Sequence, residues 1–313
     1  MNKEAKTIFV TGANGGLAKE TIKHLIKDGY KTLYLGSRTL EKSQQLQLEI
    51  ENEVPINSNL IPFGGFDMNA PEQIEKAIDA LPKDKKIDIV FLAAGGAVFE
   101  KEFQQTSWKG RQFEKTIFQN VIGAHITLKA LQEKNLLSPK ARVIYPGGEG
   151  ARGIPGMIKS PDFKSPQHLK EYLLNSGNST EKYNPMDAIG VSKLLGALWV
   201  SKLAQEPSEN LEAIWFSPGL TYGTNGLRDL PPFKRWFMAN IGFGLMQLLG
   251  KAQSPVQGAR KFADAVGDKF GDNGEILAAP KGQTLGKIVN QKPMNPNFTD
   301  QKLIDTFWEI LAH

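Results

Sequence analysis

Six short runs rich in Val, Ile, Leu, Phe, Tyr and Thr recur along the chain, at 7–10, 32–35, 59–63, 87–92, 142–145 and 211–216. Each has the length and composition of a buried strand. Between most of them the apolar positions return at helical spacing, over 16–28, 40–52, 71–80, 110–134 and 187–205, with a last such stretch at 300–311. Most of these stretches are bounded by Gly, Pro, Asn or Asp, as helix limits require. Strands alternating with helices predict an α/β fold: one doubly wound, Rossmann-type parallel sheet with helices on both faces. No repeat, linker or shift of composition divides the chain, so residues 1–313 are expected to form one domain.

Two stretches depart from the alternation. Residues 152–186 open with Gly and Pro and then turn polar, and residues 223–255 carry Pro231-Pro232 and a tract of Phe, Trp, Met and Leu broken by glycines. Ligands of open α/β sheets bind at the carboxyl ends of the strands, where such excursions cover them, so both are substrate-lid candidates.

The first strand runs into Thr11-Gly12-Ala13-Asn14-Gly15-Gly16-Leu17-Ala18 and then into a helical stretch. A glycine turn between strand and helix lets backbone N–H groups approach a pyrophosphate, and the helix N-terminus adds partial positive charge. The placement favours dinucleotide binding over a plain turn.

Composition narrows the chemistry. With no cysteine, the chain has no disulfide, thiol nucleophile, thiolate zinc site or iron–sulfur cluster. The net charge of +5 is scattered among acids, as in Lys83-Asp84-Lys85-Lys86, which argues against a nucleic-acid partner. The four histidines, at 24, 125, 168 and 313, lack metal-ligand spacing. The longest apolar tract, 236–250, is interrupted by Asn240, Gln247 and glycines and is shorter than the ~20 residues of a bilayer span. The six residues ahead of the first strand and the short 7–10 run do not read as a signal segment, so a cytoplasmic location is expected. Lys234-Arg235-Trp236-Phe237 reads as part of a lid or as a peripheral membrane contact.

The motifs in order resemble the short-chain dehydrogenase/reductase family, whose phosphate loop reads T-G-x-x-x-G-x-G. Thr11, Gly12 and Gly16 match, and Ala18 replaces the last glycine. Further matches are Asp67, Ala94-Gly95, Asn120, Ser192-Lys193 and Pro218-Gly219-Leu220-Thr221. The segment Thr106-x-x-x-Gly110 with Phe118-Gln119-Asn120-Val121-x-Gly123 is similar to the retinol-dehydrogenase-like and protochlorophyllide-reductase-like branch, as, more weakly, is Trp308-Glu309. The resemblance implies a dinucleotide held by Thr11, Gly12, Asn14, Gly15, Gly16, Leu17, Ser37, Arg38, Asp67, Met68, Ala94, Gly95, Lys193, Pro218, Gly219 and Thr221. The second strand ends in Leu35-Gly36-Ser37-Arg38, without the carboxylate that would accept from an NAD ribose and repel a 2′-phosphate. Arg38, assisted by Lys42, can pair with that phosphate, so the expected cofactor is NADP(H). Asp67 would accept from the adenine amino group, with the Met68 N–H donating beside it; a helix-capping role for Asp67 is the alternative.

The family pattern breaks where chemistry is done. Its members place a proton-donating Tyr four residues before the Lys and a substrate-orienting Ser after a central strand. Here Lys193 is present, but position 189 is Ile, and Gly147 and Gly148 stand at the serine positions. Of the catalytic set only Asn120 and Lys193 remain, with a helix-interior structural amide and a solvated charge as their plainer alternatives. Glu149, Tyr145, Tyr183, Asp187 and Tyr222 are substitute donors to be weighed against blander roles: Tyr145 and Tyr222 as packing aromatics, Asp187 as a helix-start carboxylate, Glu149 and Tyr183 as exposed loop residues. The leading expectation is a divergent NADP(H)-dependent oxidoreductase that moves a hydride to or from a hydrophobic small molecule. The rival is an inactive NADP(H)-binding regulator or scaffold.

Overall fold

The computed structural model describes residues 2–55, 57–99, 103–175, 183–222 and 250–312. An eight-stranded sheet forms the centre, in the order β3-β2-β1-β4-β7-β8-β9-β10. Its strands are β1 (Thr7–Thr11), β2 (Thr32–Gly36), β3 (Asn59–Phe63), β4 (Ile87–Phe91), β7 (Leu137–Pro146), β8 (Leu211–Phe216), β9 (Ile276–Ala278) and β10 (Val289–Asn290). All neighbours pair in parallel except β9 and β10, which close one edge antiparallel. The chain order reverses direction between β1 and β4, so a crevice opens at the carboxyl ends of those two strands.

Side-chain alternation along the strands builds two separate cores. Ile8, Val10, Ile144, Ile214 and Phe216 point into one, and Phe9, Val143, Tyr145, Ala213 and Trp215 point into the other. The first core lies under α1 (Gly16–Lys27), α2 (Leu40–Glu53) and α8 (Pro255–Val266). The second lies under α3 (Pro71–Asp79), α5 (Gly123–Glu133), α6 (Pro166–Asn175), α7 (Pro185–Gln205) and α9 (Gln301–Ala312). Local chemistry sets the helix starts. Thr39 and Asn184 accept from backbone N–H groups at the heads of α2 and α7, Pro71, Pro185 and Pro255 stand in first turns, and Ser254 with Gln257 forms a capping box on α8.

The expected helix over 110–134 is corrected at its beginning. Gln105–Trp108 (β5) and Arg111–Glu114 (β6) form an antiparallel hairpin around Lys109 and Gly110, both at positive φ. The helix starts only at Lys115 with the short α4 (Lys115–Ile117), passes through a π-helical turn at Phe118–Ile122 and continues as α5. A positive-φ dipeptide with Gly second specifies a two-residue hairpin turn, and it overrides the helical spacing of the residues that follow. The helices α6 and α8 and the strands β9 and β10 had no counterpart in the hydrophobic pattern.

Of the first excursion, residues 152–175 are tied into the fold. Ile158 packs on Gly150 and Gly190, Asn295 Nδ2 donates to the Pro161 carbonyl, and Asn297 bonds both backbone groups of Phe163. Residues 176–182 of this excursion and 223–249 of the second, including Lys234–Phe237, lie outside the described residues. Among the described residues no helix is long and apolar enough to cross a membrane.

Candidate active site

The turn after β1 forms the floor of the crevice. Gly12 has φ +60°, and a Cβ there would stand 2.7 Å from the Ala94 backbone, so the turn closes on the end of β4 only with glycine at this position. Thr11 Oγ1 accepts from the Ala94 N–H at 3.1 Å and fixes the two strand ends together. Helix α1 begins directly beyond, with Gly15 at its N-cap and no side chain bonded to its first turn. Its leading N–H groups, those of Gly16, Leu17 and Ala18, have no capping side chain that would compete with an anion. Asn14 precedes this cap in the same loop.

At the end of β2, Ser37 is wholly buried and its hydroxyl has no partner among the described residues. Arg38 is half exposed, and its Nε lies 3.5 Å from Asp67 Oδ2. An ion pair this open contributes little, so the guanidinium can exchange it for a phosphate at small cost. The other Asp67 oxygen accepts from the Asn69 N–H within the turn, and the head of α3 carries no side-chain cap, so the helix-capping alternative for Asp67 does not hold. The Met68 side chain is buried beside Gly123 and Thr127.

Across the crevice Gly95 is exposed at φ +153°, and a Cβ there would fall 2.5 Å from Asn120 Oδ1. Asn120 is buried in the π-helical turn and pins this loop, its Oδ1 accepting from the Gly96 N–H and its Nδ2 donating to the carbonyls of Gly96 and Thr116. Asn120 therefore shapes the crevice wall.

Lys193 projects from α7 beneath the end of β7, where its Nζ donates to the Pro146 carbonyl at 2.9 Å. The sequence had left open a solvated charge here. Instead, burial pushes this ammonium down to about 8. Ile189 lies one turn earlier on the same helix and is partly buried. The two serine-position glycines are not equivalent. A Cβ on Gly147 would stand 2.5 Å from the Trp215 ring, whereas Gly148 is extended, at φ 177°, and the nearest atoms a Cβ there would meet are those of the Lys193 stem, at 3.4–3.7 Å.

The loop after β8 completes the wall. Thr221 Oγ1 donates to the Gly219 carbonyl, the Gly219 N–H donates to Ser217 Oγ, and the Pro218 carbonyl accepts from Gln253 Nε2 and Lys261 Nζ. Gln253 and Lys261 carry no sequence motif. Backbone bonds to Leu220 and Tyr222 hold Gln253 here, and Lys261 reaches the turn from α8.

The substitute donors are placed as follows. Glu149 is not an exposed loop residue: its carboxyl is buried, accepts from Ser217 Oγ and the Ala279 N–H, and is pushed up by burial. Tyr183 is also not an exposed loop residue. Its hydroxyl donates to Glu114 Oε1 at 2.6 Å, its ring packs edge-on against Phe103, and burial together with Glu114 pushes the phenol up. Asp187 accepts from the Lys159 N–H and Asn184 Nδ2 at the head of α7. Tyr145 is buried, and its hydroxyl donates to the Asn120 carbonyl at 3.0 Å. Tyr222 is partly buried beside Gln253, whose carbonyl accepts from the Tyr222 N–H. His125 is a packing residue, buried among Trp108, Trp199 and Trp308, and burial pushes it down to about 3.

Comparison with known proteins agrees with this geometry. Residues 6–145, from β1 to the end of β7, match the short chain dehydrogenase family model. The chain is 26% identical over 306 residues to the short chain dehydrogenase opdN of Penicillium oxalicum, covering 94% of this chain and 90% of that one. It is 24% identical over 314 residues to the short-chain dehydrogenase fogG of Aspergillus ruber, with 97% and 83% covered. Among solved structures, a short-chain type dehydrogenase/reductase from Mycobacterium ulcerans superposes with a TM-score of 0.62 over 97% of this chain and 99% of that one, at 16% identity.

Proposed function

We propose that this chain, a relative of the short-chain dehydrogenases and an oxidoreductase by that kinship, is an NADP(H)-dependent enzyme that transfers a hydride to or from a hydrophobic small molecule. The observation that carries the reading is the cradle at the switch point: a glycine turn closed on Ala94, an uncapped helix behind it and, at the end of β7, the partly buried Lys193 of α7. The uncapped first turn and the unpartnered Ser37 hydroxyl are polar groups awaiting a ligand of this kind, so the residues present fit a dinucleotide.

In this reading the backbone of Gly12, Asn14, Gly15, Gly16 and Leu17 holds the pyrophosphate, and Thr11 keeps that turn against β4. Ser37 and Arg38 meet the adenosine ribose and its 2′-phosphate, and Asp67 and Met68 meet the adenine. Ala94 and Gly95, Lys193, and Pro218, Gly219 and Thr221 line the nicotinamide end. When bound, the reduced dinucleotide supplies the hydride. The proton is the harder problem, because the hydroxyls of Tyr145 and Tyr183 are committed to other acceptors and both phenols are pushed up. An ammonium held near 8 gives and regains a proton close to neutrality, and Lys193 is the group in the crevice with that property. Without the tyrosine, the favoured substrates are those that need little acid assistance: activated carbonyls, imines or conjugated C=C bonds.

Calorimetric titration with NADPH and NADH tests the reading. NADPH should bind at least tenfold tighter than NADH, and Arg38→Ala should remove that preference, since a charge-assisted pair is worth ~1.5–3 kcal/mol. Equal affinities would refute the NADP assignment, and binding of neither would refute the site. Single-turnover loss of NADPH absorbance with hydrophobic ketones, aldehydes, imines and enones then identifies the substrate class.

A further inference from the structure

Tyr145 is the last core-facing residue of β7, and it is 1% exposed. Its two ends touch the two retained members of the catalytic set. The hydroxyl donates to the backbone carbonyl of Asn120 at 3.0 Å, within the π-helical turn. The ring lies under the Lys193 ammonium, with Nζ 5.8 Å from its centroid, while the carbonyl of the next residue, Pro146, accepts from the same Nζ. The dipeptide Tyr145-Pro146 thus holds the ammonium between an aromatic face and a carbonyl.

This arrangement depends on a second residue of α7. A Cβ at Gly196 would come within 2.2 Å of the Tyr145 ring and 2.6 Å of its hydroxyl, so the ring occupies the space that any larger residue at 196 would fill. Trp199, one turn further, meets the ring edge-on at 5.6 Å, and Trp215 Nε1 donates to the Lys193 carbonyl. The ring is therefore fixed on several sides. Burial lowers the Lys193 pKa, and among the described residues the ammonium meets the aromatic face and the Pro146 carbonyl.

We infer that Tyr145 is a positioning residue of this site, its ring seating the Lys193 ammonium and its hydroxyl anchoring the Asn120 turn, so that the lysine and the crevice wall are held in register by one side chain. Tyr145 need not touch the substrate. The inference rests on the reading that Lys193 and Asn120 border the nicotinamide end, but its test does not depend on turnover.

Tyr145→Phe keeps the ring and removes the hydroxyl, and Tyr145→Leu removes both. The titration of Lys193 is read from the pH dependence of its labelling by trinitrobenzenesulfonate, mapped by peptide mass spectrometry. Hydrogen exchange of residues 116–124 reports on the Asn120 turn. Tyr145→Phe should leave the Lys193 titration where it is in the parent and speed exchange in 116–124. Tyr145→Leu should speed the same exchange and also move the lysine titration by about half a pH unit or more. The NADPH dissociation constant should rise modestly in the first variant and about tenfold in the second. A Lys193 titration that is the same in all three proteins, or exchange in 116–124 that ignores the loss of the hydroxyl, would overturn the inference. If Tyr145→Leu does not fold, Tyr145→Met, whose longer unbranched chain adapts better to the space and also lacks a ring, takes its place with the same expectations. Should NADPH bind to none of these proteins, the functional reading fails, while the labelling and exchange results still decide the role of Tyr145.

Discussion

Replacing Ile189 by Tyr together with Gly148 by Ser asks whether the crevice lacks only its proton donor. Position 189 precedes Lys193 by four residues on α7, so a phenol there projects from the same face of the helix one turn earlier. Ile189 is only partly buried, which leaves room for the larger ring at its solvent side. The serine belongs at 148 and not at 147. The extended backbone of Gly148 accepts any side chain, and the new Cβ touches the Lys193 stem at ordinary van der Waals distance. At 147 the same atom would penetrate the Trp215 ring, so Gly147→Ser serves as a destabilised control. The Lys193 ammonium should lower the pKa of the new phenol as any neighbouring positive charge does. A positioned general acid is worth roughly 10²–10⁴ in rate, or about 3–5 kcal/mol of barrier. Single-turnover oxidation of NADPH by an unactivated hydrophobic ketone is the assay, with Ile189→Phe in the Gly148→Ser background as the match for ring size without the hydroxyl. The Tyr variant should exceed both the parent and the Phe variant by at least a factor of ~10². If the parent reduces such ketones briskly and the double variant is slower, the isoleucine belongs to a working proton route and the reasoning is wrong.

Two further outcomes follow from the geometry. Gly12→Val should abolish NADPH binding in a protein with native circular dichroism, because the turn at φ +60° already touches Ala94 and a branched side chain would push it out of register; unchanged calorimetric affinity would place the dinucleotide elsewhere. His125→Leu should flatten the acid limb of stability. The native ring stays neutral down to about pH 3, while the unfolded ring takes up a proton near 6.5, so stability is full above 6.5 and is lost as pH falls toward 3, by about 1.4 kcal/mol per pH unit. Urea unfolding of parent and variant between pH 7 and 4 measures this slope, and parallel curves would refute it.

Hydrophobic periodicity made the six principal strands and most of the helices of the first 216 residues legible, because buried parallel strands must be continuously apolar and covering helices must repeat near 3.6. It failed at 105–114. There Lys109-Gly110 decides the backbone, and the flanking residues pack as a hairpin against α9: Lys109 Nζ and Arg111 Nη1 donate to the carbonyls of Ala312 and Ile310 at its carboxyl end. That contact spans some two hundred residues, and no local pattern records it. The same holds for Gln253, ahead of α8, and Lys261 within it, whose side chains meet the Pro218 carbonyl across 35 and 43 residues of chain.

For the site, the sequence by itself supplied a glycine turn between strand and helix, the absence of a carboxylate after β2, the presence of Asn120 and Lys193, and Ile189, Gly147 and Gly148 where the resemblance expects a tyrosine and serines, since each is a matter of residue type at a fixed spacing. Tertiary structure alone decided what those residues are able to do. Glu149 and Tyr183 read as exposed loop residues from their neighbours, but their partners, Ser217 and Glu114, lie 68 and 69 residues away along the chain. Tyr145 read as packing, and it packs, but its register against Gly196 places its ring under Lys193 and its hydroxyl on Asn120. Burial, hydrogen-bond commitment and proton affinity are properties of an environment assembled from distant segments. Residue type and spacing specify which groups are present, and only the packed sheet and helices set which of them are desolvated, paired or left to react.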